Sequence, residues 1–175
     1  MKQEITVRVR LDAKIFRRFC RFDALRLRKK WVRPVVFALI LVAFAFVALL
    51  ARKEQSGMIA AVLLVIGLGL PLVYFGSFFS QVNMQVERHN LNPPRRVYTV
   101  RLSREGVNVV NDQKDEPPLD VPWKDLQAAF RAKGCVYLYV NAARAFLLPD
   151  GQADADPAAL WALIEKHMGA KARKL

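Results

Sequence analysis

The chain has 175 residues, 25% charged and 54% hydrophobic, with 28 Lys and Arg against 15 Asp and Glu and a formal net charge of +13. About one domain fits that length, and such a basic total suits nucleic acid, an anionic membrane surface or a membrane orientation signal. Its distribution argues against nucleic acid. Residues 1–34 carry 12 basic and 3 acidic side chains, residues 80–175 carry 14 and 11, and no recognition motif marks that nearly balanced second part.

In chain order, residues 5–12 alternate, with Ile5, Val7, Val9 and Leu11 on one face and Thr6, Arg8, Arg10 and Asp12 on the other. A period of two predicts a half-buried strand. A lone strand cannot satisfy its own backbone groups, so the N-terminal strand (1–12) is expected to pair with a sheet built from the C-terminal part.

Residues 13–34 then read as a basic juxtamembrane helix. Lys14, Arg17, Arg18, Arg21, Arg26, Arg28, Lys29, Lys30 and Arg33 are its cations, and Phe16, Cys20, Ala24, Leu27 and Trp31 fall in a narrow helical arc that Phe22 and Leu25 interrupt. One reading lays this helix on an anionic inner leaflet, where each cation contributes about 1 kcal/mol. The other has the charges set topology alone.

Two apolar runs follow, 35–51 and 58–79, forming a transmembrane hairpin over 35–79. The first begins too late for a secretory signal and lacks a small-residue cleavage site after it. Only Arg52 to Gly57 separate the runs, which predicts a tight antiparallel turn. Nine Lys and Arg precede the first run within residues 14–33, two lie in the loop, and Arg88, Arg95 and Arg96 follow the second run. The excess of cations on the outer flanks predicts a two-span cell-membrane protein with both termini cytoplasmic. Trp31, Tyr74, Phe75, Phe78 and Phe79 suit the interfacial aromatic belt. Small residues let membrane helices approach closely, which nominates Ala38, Ala45 and Ala48 on the first helix and Gly69, Gly76 and Ser80 on the second as the packing faces. Pro71 removes a backbone donor and predicts a local bend. No ionisable residue lies inside either span, which weakens a transport-site reading of Gly67, Gly69 and Pro71.

After a cytoplasmic extension of the second helix (80–91), residues 92–175 read as a small antiparallel β domain. Strands are expected at 96–102, 107–110, 119–121, through Phe130, at 135–140 and at 143–148, with turns at Ser103–Gly106 and Gly134. Asp156 with Pro157 starts a final helix whose apolar stripe is Leu160, Trp161, Ile164 and Met168, and Lys171, Arg173 and Lys174 close its end. The fold class expected is membrane α+β.

The stretch VPWKDLQAAFRAKGCVYLYVNAARAFLLP, together with the order of parts, resembles the YcxB-like family of small bacterial membrane proteins. Trp123 and Leu126 match its Trp-containing segment, Tyr137, Leu138 and Tyr139 its aromatic strand, and Leu148-Pro149 its apolar-Pro step; Asp150 and Gly151 replace the basic residue usual after it. The resemblance implies a pleckstrin-homology-like domain, with Trp123, Leu126, Tyr137, Tyr139 and Trp161 expected in its core. It implies no activity or cofactor.

Chemistry-bearing patterns are scarce. His89 and His167 lack metal-ligand neighbours in sequence, Cys20 and Cys135 form no CxxC pair, and no phosphate loop or nucleophile elbow occurs. Cys20, near the membrane, is a candidate for acylation, with a plain free thiol as the other reading. Asp112, Asp115, Glu116 and Asp120 are interrupted by Lys114, Pro117 and Pro118, as in a solvated loop. The expected function is a membrane-anchored, non-enzymatic interaction or lipid-binding module. An accessory transporter or channel subunit is the alternative. Membrane lipid, anionic on the inner leaflet, is the expected partner, with a protein partner open, no cofactor, and an oligomeric state the sequence leaves undetermined.

Overall fold

The computed structural model describes residues 4–51, 54–113 and 116–174. Arg52 and Lys53 of the expected loop, and Lys114 and Asp115 of the acidic stretch, lie outside the described residues. The chain is α+β and forms two compact units, one comprising Met1–Phe19 with Asn90–Leu175 and the other Cys20–His89. The second unit is thus an insertion between the first two strands of the other.

In the β unit, β1 (Ile5–Leu11), β2 (Arg95–Leu102), β3 (Gly106–Asn111) and β4 (Leu119–Pro122) make an antiparallel sheet in that order. A second sheet holds β5 (Ala128–Ala132), β6 (Cys135–Tyr139), β7 (Ala145–Pro149) and β8 (Ala172–Lys174), ordered β7-β6-β5-β8, with β8 parallel to β5. The alternation of β1 is realised as a register in which Val7 faces Val100 and Ile5 faces Leu102, all buried. On its other edge β1 meets the segment after β7: Asp154 N donates to Thr6 O at 3.0 Å, and Thr6 N to Asp154 Oδ1 at 2.8 Å. Both edges of the strand therefore find backbone partners.

Tight turns set the registers. Ser103 Oγ accepts from the amides of Glu105 and Gly106 in the β2–β3 turn. At Gly106 a Cβ would fall 2.5 Å from Val121 O, so β4 can pair there only with glycine. Gly134, at φ +80°, turns β5 into β6 in a conformation that other residues adopt only under strain.

Tyr98 joins the two sheets. Its hydroxyl accepts from Leu147 N at 2.8 Å and donates to Leu147 O at 3.2 Å, while its ring meets Phe146 edge-on at 5.4 Å. Burial pushes its phenol well above the ordinary range, so it stays protonated. Because Phe146 pairs with Leu138, this face of β6 and β7 looks toward the first sheet.

The final helix α4 (Pro157–Met168) has Asp156 as N-cap, with its carboxylate accepting from Ala158 N, and buries Leu160, Trp161, Leu163, Ile164 and Met168. It ends sooner than its basic tail suggested. Gly169 takes φ +53°, and Ala172, Arg173 and Lys174 form β8 instead of a helical end. An extended strand beside β5 satisfies backbone groups on that edge, which a charge-dipole argument cannot foresee.

The inserted unit holds α2 (Val32–Leu50) and α3 (Ser56–Arg88), both long and apolar enough to cross a membrane. At about 1.5 Å per residue α2 measures about 28 Å, close to a bilayer core of about 30 Å. The longer α3 keeps its helical assignment through Pro71 and on to Arg88.

Replacing Tyr98 by Phe removes the hydroxyl that serves both Leu147 backbone groups. Chemical unfolding of the detergent-solubilised protein, followed by tryptophan fluorescence, is expected to show a loss of about 1–3 kcal/mol.

Candidate functional site

The basic segment is built by three local devices. Asp12 caps α1 (Ala13–Arg21), its Oδ1 accepting from Ile15 N at 2.6 Å. The next residues lean on the second sheet: Arg18 Nη1 donates to Lys133 O at 2.8 Å, and the Phe19 ring lies 5.3 Å from Tyr137 and 6.2 Å from Tyr139. Beyond Arg21 the helix widens into a π-helical turn (Phe22–Leu27), closed by an Arg28–Asp23 ion pair of 2.9 Å and by Trp31 Nε1 donating to Leu25 O at 3.0 Å. Lys29, at φ +47°, then redirects the chain.

The expected single apolar arc therefore does not persist as one stripe. An i→i+5 turn shifts every later side chain around the axis, and Phe19, outside that arc, makes the ring contacts with the sheet. Of the nine nominated cations, Lys14, Arg18, Arg21, Arg26, Arg28, Lys29, Lys30 and Arg33 are exposed, and Arg17 is half-buried.

The hairpin closes on a partly different set of small residues. Ala38 and Ala45 are buried and Ala48 is half-buried, but on α3 the buried positions of the N-terminal half are Ser56, Ala60 and Gly67. A Cβ on Gly67 would lie 3.2 Å from Leu41 Cβ and 3.4 Å from Ala38 O, whereas one on Gly69 or Gly76 would meet nothing within 4 Å. Gly69 is half-buried, and Gly76 and Ser80 are exposed. The nomination of Gly69, Gly76 and Ser80 is corrected to Ser56, Ala60 and Gly67. These recur at spacings of four and seven, the geometry of a helix seam; glycine content alone had not revealed that phase. Pro71 also withholds the amide that would bond the Gly67 carbonyl.

Trp123, Leu126, Tyr137, Tyr139 and Trp161 are all buried. Trp123 donates from Nε1 to Ser103 O at 3.0 Å and stacks on His167 at 5.0 Å and 10°. His167 is thus a ring partner in the contact between α4 and the short 3-10 turn that follows β4. Among the described residues no group of three His, Cys, Asp or Glu is placed to hold a metal ion.

Both thiols are chemically quiet. Burial, with Asp23 nearby, raises Cys20 to about 11; burial, with Asp150 nearby, raises Cys135 to about 12. The thiolate is the reactive form, so neither is activated as a nucleophile at neutral pH.

One charged feature escaped the sequence reading. The outer face of the first sheet brings Arg8 and Arg10 of β1 beside Arg96 and Arg101 of β2, because Arg10 pairs with Arg96, Arg8 with Thr99 and Thr6 with Arg101. All four arginines are exposed. Arg96 is fixed by Asp112 at 2.9 Å, and the same carboxylate accepts from the buried Thr99 hydroxyl. Among the described residues Arg8, Arg10 and Arg101 have no ion-pair partner. The alternation in residues 5–12 did place Arg8 and Arg10 on one face; their β2 neighbours lie some ninety residues away in the chain.

Comparison of the chain with protein-family models, with characterised proteins and with solved structures found no match.

Two outcomes check this geometry. Gly67→Leu is expected to destabilise the hairpin by about 1–3 kcal/mol through overpacking, while Gly76→Leu is neutral or gains the roughly 0.8–1 kcal/mol that a helical glycine forgoes; thermal unfolding in detergent separates them. Maleimide labelling of Cys20 should be slow at pH 7 and climb as pH rises toward 11, with Cys135 lagging behind it.

Proposed function

We propose that the protein is a two-span membrane anchor carrying a non-enzymatic interaction or lipid-binding domain of pleckstrin-homology-like build, related to the YcxB-like proteins. The observation that carries this reading is the insertion of two apolar helices between paired strands. Along α2 and α3, Leu39, Phe46, Leu50, Val65, Leu72 and Val73 are 60–80% exposed, an arrangement that water penalises and lipid does not. Two crossings return the chain to the side it left, which is what the pairing of β1 with β2 demands. The cations flanking the hairpin assign that side to the cytoplasm.

For the domain itself, the support is its order, which suits a pleckstrin-homology-like build: a four-strand meander with a helical hairpin inserted after its first strand, a three-strand meander, and a helix followed by the short β8. The basic segment supplies the lipid contact, with Lys29 and Lys30 just ahead of α2 and Arg33 in its first turn.

In isolated membranes the chain should resist carbonate extraction. With Cys20 and Cys135 replaced by Ala, an impermeant thiol reagent added to intact cells should label a cysteine at Gln55 and spare one at Asn141. Release by carbonate, or labelling at Asn141 with Gln55 spared, overturns the anchor or its orientation respectively.

A further inference from the structure

We propose that the outer face of the first sheet is a docking surface for the phosphate groups of anionic phospholipids, held by Arg8, Arg10 and Arg101. This deepens the membrane-anchor reading and rests on it.

The face is assembled at a cost to folding. Like charges directly opposite on paired strands are unfavourable, yet Arg10 sits opposite Arg96 at the point where the β1–β2 register shifts. One carboxylate, Asp112, offsets one of the four guanidiniums and also takes the Thr99 hydroxyl, leaving the other three without a carboxylate partner among the described residues. Asp120, at the far edge, accepts from Asn108, Asp154 accepts from Thr6 N and Asp12 from Ile15 N, while Glu4, just ahead of β1 on the same face, forms no ion pair with these arginines among the described residues. A protein that places unpaired like charges together against its own stability marks a surface shaped by a ligand.

The chemistry of that ligand follows from the residue type. All four cations are arginines, whose planar forks bind phosphate through two parallel hydrogen bonds and shed water more readily than lysine. Their arrangement favours an array over a single anion. Arg8 and Arg10 are two residues apart on a strand, about 6.8 Å, and Arg101 lies diagonal to Arg8 across the pair, about 7–8 Å away. Three donors spread over a strand pair at these separations suit neighbouring headgroups better than one small anion. Tethering supplies the rest: only 20 residues separate Leu11 from Val32, so the face and a bilayer holding α2 stay at an effective concentration on the order of millimolar.

The full-length protein would be reconstituted into phosphatidylcholine vesicles with and without 30% phosphatidylglycerol, recovered by flotation, and treated with an impermeant arginine-modifying diketone read out by mass spectrometry. Modification of Arg8, Arg10 and Arg101 is expected to fall about fivefold or more in the anionic vesicles, at roughly fivefold per arginine held near such a surface. Arg144 and Arg173 should change less, and 0.5 M salt should remove the protection. Flotation with equal modification of the three arginines in both vesicle types overturns the docking proposal alone. Protection confined to residues 14–33 overturns it too and leaves the basic segment as the lipid contact. Equal protection by inorganic phosphate in phosphatidylcholine vesicles replaces the lipid surface with a soluble anion. Failure to float with either composition removes the membrane reading and this proposal together.

Discussion

Everything in the β unit depends on one long-range pairing, that of β1 with β2 across the whole inserted hairpin. Seven residues of β1 have no neighbour in sequence able to satisfy their backbone groups, and β2 begins more than eighty residues later. The entropy of closing so long a loop rises only logarithmically with length, so the insertion is tolerable once the ends have a strong reason to meet. That reason is apolar: Val7, Val9, Val100 and Leu102 are buried essentially completely in the layer between the sheets. Asp154 and Gln152 then close the second edge of β1, so the strand is clamped on both sides.

From this pairing the remaining architecture follows. β1 delivers Asp12 to cap α1 and so directs Phe19 onto Tyr137 and Tyr139. The second sheet is thereby covered on both faces, by the first sheet through Tyr98 and Phe146 and by α1 through Phe19, which explains why all five residues of β6 are buried. The stem that leads toward α2 is thus anchored by side chains before the π-helical turn begins. The same pairing creates the arginine face, since only the β1–β2 register puts Arg8 and Arg10 next to Arg96 and Arg101.

Most elements were legible because their signals are local. The two apolar runs, the alternation of residues 5–12, the Ser103–Gly106 turn and the Asp156-Pro157 helix start each reflect a rule acting within a few residues. Bounds moved by one to three residues at most strands, and α3 continues past its apolar stretch to Arg88, within the extension expected over 80–91, because Ser80 to Arg88 carry the helix on without a breaker. The failures had longer reach. Gly67 and Gly69 are chemically identical, and only the phase of α3 against α2 makes one a contact and leaves the other open. The π-helical turn, closed by Asp23 and Arg28, shifted a stripe that a regular helical wheel had kept together. β8 could not be read at all, since a three-residue strand rich in cations is identified only by the edge of β5 that it covers.

The sequence by itself determined the composition of parts: two spans' worth of apolar helix, an excess of cations on the hairpin's outer flanks, a half-buried first strand and a strand-rich C-terminal region closed by a capped helix. Each is a matter of hydrophobic period or turn chemistry, which neighbouring residues settle among themselves. Tertiary structure alone decided which small residues bring α2 and α3 together, which aromatic side chain docks the basic segment, and that four arginines from two distant strands share one surface. Those outcomes depend on register and helix phase, which are set by contacts between segments far apart in the chain.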